Sequence, residues 1–69
     1  MEKFGLYKFI ILKDEKKKGW YYKIYTEDPD YISFNGTNVL RESQELFAFE
    51  GIARFAAIGH ITVLENGEG

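Results

Sequence analysis

The stretch QELFAFEGIARFAAIGH, residues 44–60, reads as a helix that is apolar on almost every side. At about 100° per residue, Leu46, Phe49, Ala53, Ala56 and Ala57 fall on one stripe, and Ala48, Ile52 and Phe55 carry it around the cylinder. Phe47 and Ile58 occupy the far side. Gln44, Glu45, Glu50 and Arg54 are the polar interruptions, too few to make the solvent-facing half of an ordinary surface helix. Ser43 stands where an N-cap hydroxyl is wanted, Glu45 places negative charge in the first turn, and Gly59 can take the left-handed conformation that stops a helix. A chain of 69 residues has little other material with which to cover such a rod. The expected cover is a second chain.

Upstream, residues 4–12 are apolar on both faces, Tyr7, Phe9 and Ile11 alternating with Leu6, Ile10 and Leu12, as in a long central strand. Lys8 interrupts this run, which is far shorter than a bilayer span and is not followed by a small-residue cleavage site, so no membrane segment is expected. The charged run 13–18, closed by Gly19, supplies a turn. Beyond it Trp20, Tyr22 and Ile24 alternate with Tyr21, Lys23 and Tyr25, which predicts a hairpin with one face toward the helix and an aromatic second face.

Asp28-Pro29-Asp30 is a further turn signal. Residues 31–34 and 37–41 flank Asn35-Gly36, a type I′ hairpin dipeptide, in a register that sets Ile32 opposite Val39, Phe34 opposite Thr37 and Asp30 opposite Arg41. The β-branched residues 61–63 predict a closing strand, and 65–69 a frayed tail. The expected fold is a single small α+β domain, residues 1–69, with an antiparallel four- to five-stranded sheet packed on one helix in the order β-β-β-β-α-β.

Hydrophobic residues make up 45% and aromatic residues 17% of the chain, a balance that favours a packed domain over disorder. The absence of cysteine removes disulfides, thiolate catalysis and cysteine metal sites, and fits a cytoplasmic location. His60 is the sole histidine, so one chain cannot form a histidine pair around a metal; it is expected at a helix end, where its protonated form suits the dipole. Glu27, Asp28 and Asp30 lack the spacing and glycine of a calcium loop, and Asn35-Gly36-Thr37 is no phosphate-binding loop. No nucleophile stands with a base and an orienting acid. A non-catalytic protein with no cofactor and no metal is therefore expected.

Net charge is −2, but unevenly spread: seven lysines face three carboxylates through Lys23, and two arginines face eight carboxylates after it. Such a dipole can orient a partner or a second subunit.

The resulting expectation is an interaction module that forms a homo-oligomer, a dimer first, or docks a protein partner through Phe47, Gly51, Phe55 and Ile58. Gly51 and the neighbouring alanines would let another backbone approach closely. The alternative is a small RNA- or single-stranded-DNA-binding domain in which Lys16, Lys17 and Lys18 neutralise phosphate and Tyr21 stacks on a base. Asp14 and Glu15 in the same loop, and the acidic overall balance, stand against it.

The succession of a strand, a charged turn with Lys13-Asp14-Glu15, an aromatic strand from Gly19 to Tyr22, the Asp-Pro-Asp turn, a third strand, Asn-Gly and a helix resembles the HicB-like antitoxin domain over about residues 7–61. In that family a small sheet with one packed helix neutralises a messenger-RNA-cleaving toxin, and many members oligomerise. The resemblance implies a cytoplasmic protein-binding module and assigns no role to individual residues.

Overall fold

Gly5 divides the apolar run 4–12 in two. Its φ of 59° opens a two-residue turn with Leu6, positive φ falling on the first central residue as in a type II′ hairpin, where glycine meets no steric penalty. The expected single long strand is therefore a pair, β1 (Glu2–Phe4) and β2 (Tyr7–Asp14). The charged run forms the next turn as the sequence predicts. Asp14 organises it: its Oδ1 accepts from the amides of Lys16 and Lys17 at 3.0 Å each, and its carbonyl accepts from Lys18 N at 2.9 Å. β3 (Gly19–Tyr25) follows in register with β2, Phe9 opposite Ile24 and Ile11 opposite Tyr22.

The second half of the chain departs from the expected hairpin. In this computed structural model, which describes residues 1–67, Pro29–Asn35 is a helix, α1. Asp28 is its N-cap, the carboxylate accepting from Asp30 N at 3.0 Å, with Pro29 in the first turn where its missing N–H is no loss. Gly36, at φ 72°, ends the helix with its amide donating to Ile32 O. Thus Asn35-Gly36 is a helix stop, not a hairpin turn. β4 (Val39–Glu42) pairs instead with β3, setting Val39 opposite Tyr25 and Arg41 opposite Ile24, with a bulge between Ile24 and Tyr25.

The sheet is antiparallel in the order β1-β2-β3-β4. After β4 the chain loops out through residues 43–46 and returns to pair Phe47 with Trp20 through two backbone bonds of 2.8 Å. Ser43 is not a helix cap. Its Oγ accepts from Tyr22 N and donates to Glu45 O, standing in for a strand backbone group.

The long helix, α2 (Glu50–Glu65), starts six residues later than Gln44, because Ser43 and Phe47 are held by β3. It runs through Gly59 and takes up residues 61–63, which therefore form no closing strand; among the described residues the order is β-β-β-α-β-α with two helices. Ala53, Ala57 and Ile61 recur at four-residue spacing and are buried against the sheet face carrying Phe9, Tyr22 and Ile24. Burial of Ile61 outweighs the β preference of its neighbours. Of the expected frayed tail, Glu65 ends α2 and its carboxylate accepts from Leu6 N at 2.9 Å, while residues 68 and 69 lie outside the described residues.

Candidate interaction face

With Ala53, Ala57 and Ile61 turned inward, the helical period of about 100° sends Phe55 and Gly59 outward, almost opposite Ala57. Ile52 and Val63 lie to one side of that line, Gly51 and Thr62 to the other. Phe55 is 80% exposed, Ile52 49% and Val63 39%. A side-chain carbon added at Gly51 or Gly59 would meet nothing, so both open onto solvent.

The charged side chains of α2 do not share this outer face. Arg54 reaches the β1 strand, its guanidinium donating to Glu2 Oε2 at 2.6 and 2.9 Å, and it also meets Glu50 at 3.4 Å. The guanidinium holds the Glu2 carboxyl below its ordinary pKa by direct hydrogen bonding, and its own pKa is raised in return. Glu65 caps the β1–β2 turn at Leu6. Thr62 is the sole hydroxyl of the outer face, and it turns back to donate to Ile58 O at 2.9 Å. The helix is amphipathic in the reverse of the usual sense: polar groups flank the sheet, and the surface turned away from it carries no charge.

Of the four residues marked in the sequence for docking, Gly51 and Phe55 lie on this face. Ile58 borders it, half-buried against the core. Phe47 belongs to the interior side: bridged to Trp20, its ring stacks on Tyr22 with centroids 6.2 Å apart. Sequence reasoning missed Gly59, Thr62 and Val63, because it stopped the helix at Gly59; the spacing 52, 55, 59, 62 carried the signal. Phe49, the residue before α2, is 67% exposed.

The basic loop presents a different surface. Lys16, Lys17 and Lys18 form the β2–β3 turn, and Tyr21 lies on the sheet face opposite Tyr22. Lys17 and Tyr21 share an open cleft of about 260 Å³ with Asp14, Glu42, Glu45 and Leu46. Three carboxylates around one lysine make a poor seat for phosphate.

His60 is not at a helix end. It lies within α2, its Nδ1 2.8 Å from Tyr22 Oη and its ring edge-on to the tyrosine. Burial first, and Arg41 second, hold the imidazole below its ordinary pKa, while burial raises that of Tyr22. Glu27 is paired with Lys8 at 2.8 Å, which lowers the carboxyl's pKa. Among the described residues no group of three or more histidines or carboxylates is placed to hold a metal ion, and no helix is long and apolar enough to cross a membrane. Compared with known families, proteins and solved structures, the chain has no match.

Proposed function

We propose that this chain is a non-catalytic interaction module that self-associates through the outer face of α2. One observation carries the reading: the helix directs Arg54 to β1 and Glu65 to the β1–β2 turn while turning Phe55 to solvent at 80% exposure. Fully burying a phenylalanine contributes about 1.5–3 kcal/mol relative to leaving it in water, so covering this face is favourable. A toxin-neutralising role, which the HicB-like resemblance implies, would be docking of the same kind to another protein.

The test is sedimentation equilibrium over a dilution series for the wild type and Phe55→Glu. The wild type is expected to exceed the mass of one chain as concentration rises. Phe55→Glu is expected to remain at one chain with an unchanged helical spectrum. A wild type that stays at the mass of one chain throughout would overturn the proposal.

A further inference from the structure

We infer that the outer face of α2 is covered by α2 of a second copy running antiparallel, with Phe55 of each chain packed in one layer with Gly59 of the other. The inference rests on the self-association reading above and adds the arrangement of the partner.

Ile52, Phe55, Gly59 and Thr62 are spaced three, four and three residues apart, the seam spacing of a two-helix coiled coil. When two such seams run antiparallel, the residues that share a layer have numbers adding to a constant. If Phe55 shares a layer with Gly59 of the second copy, Ile52 shares one with Thr62, while Val63 and Gly51 stay on opposite flanks of the seam. In this alignment Phe55 stands level with Gly59, and that glycine has nothing of its own chain in front of it. The face is complementary to itself under a two-fold rotation, as an isologous dimer requires.

Length selects the same alignment. The midpoint between residues 55 and 59 falls at 57, the middle of α2 (Glu50–Glu65), so the two helices overlap along their whole length. The competing pairing of Phe55 with Gly51 centres on 53 and leaves Val63 and the last turns uncovered. Taking about 150–250 Å² per ring, Phe55 at 80% exposure holds roughly 120–200 Å² of aromatic surface, to which Ile52, Val63 and the two glycine surfaces add. A standard interface takes about 800 Å² per partner, so a dimer held by this helix face alone is a small one. The outer face carries no charge that the same face of a second copy would repel.

The chain has no cysteine, so single cysteines report the alignment without background. Ile52→Cys and Thr62→Cys proteins are mixed, mildly oxidised and analysed by mass. In the proposed dimer, residue 52 of one chain meets residue 62 of the other, while like positions lie about 15 Å apart along the helix axis. The mixed disulfide is expected to exceed either self-disulfide several-fold. Self-disulfides, or no disulfide, in a protein whose wild type is dimeric by sedimentation would overturn this arrangement and leave self-association standing. A wild type of single-chain mass at every concentration would overturn both.

Discussion

Tyr22 Oη lies 2.8 Å from Nδ1 of His60, joining the central strand β3 to the middle of α2. A neutral imidazole can accept the tyrosyl proton there. A protonated one cannot, because Nδ1 then carries its own hydrogen and must donate.

Stability should therefore fall as pH drops below the ordinary histidine value of 6.5, since the folded-state pKa of His60 lies below it and the unfolded chain takes up the proton first. The loss should level off once pH has passed below the folded-state value. Glu2 and Glu27, whose pKa values are also lowered, lose their contributions at more acid pH, beneath the ordinary glutamate value of 4.5. Urea unfolding between pH 8 and pH 5, in steps of roughly half a unit, is expected to show the first step in the wild type and a flat profile in His60→Gln. The same slope in both proteins would remove His60 as its source.

Phe47 and Phe55 should respond in opposite ways to truncation. Phe47→Ala removes a ring stacked on Tyr22 and packed against the core, and is expected to cost about 2 kcal/mol, less than the roughly 3–5 of a fully buried phenylalanine. Phe55→Ala, measured at high dilution, should change unfolding free energy by no more than about 0.5 kcal/mol, because the ring has few neighbours in its own chain.

These two rings also show what could be read from the residue order. The β2–β3 hairpin was legible because Tyr22 and Ile24 alternate with Tyr21 and Lys23, and because Asp14 and Gly19 bound a charged turn. The long apolar helix was legible as an element, and so was its excess of exposed apolar surface. Its limits were not. Ser43 and Phe47 fit a helix start by type and spacing, but both are claimed by β3 through bonds to Tyr22 and Trp20, which only the folded sheet supplies. Asp28, Pro29 and Gly36 are residues shared by turns and helix ends, so local chemistry alone could not distinguish a hairpin from α1. Residues 61–63 favour strand by propensity, yet Ile61 completes the buried stripe begun by Ala53 and Ala57, and tertiary burial decides.

Gly59→Ala should raise the stability of the isolated chain. The added methyl meets no atom and the backbone is helical, so a gain of about 0.5–1 kcal/mol is expected, measured by urea unfolding in the Phe55→Glu background to keep association out of the result. No gain would mean that Gly59 holds a backbone conformation that alanine resists.

Two turn positions should move stability in opposite directions. Lys18 sits at φ 54°, so Lys18→Gly is expected to stabilise the hairpin by about 1 kcal/mol. Gly5 has φ 59°, and a side-chain carbon there would press on the Glu65 carboxylate, so Gly5→Ala is expected to destabilise by at least about 1 kcal/mol. Thermal unfolding of the two variants beside the wild type decides both.

The most direct measurement of the central claim is radical footprinting of individual phenylalanines over a dilution series. Phe34, on α1 and 90% exposed, serves as an internal reference beside Phe55 at 80%. Self-association through α2 requires Phe55 to be protected at high concentration and to approach the reactivity of Phe34 on dilution. Equal, high reactivity of both rings at every concentration would show that the outer face of α2 remains in water, and would contradict the account.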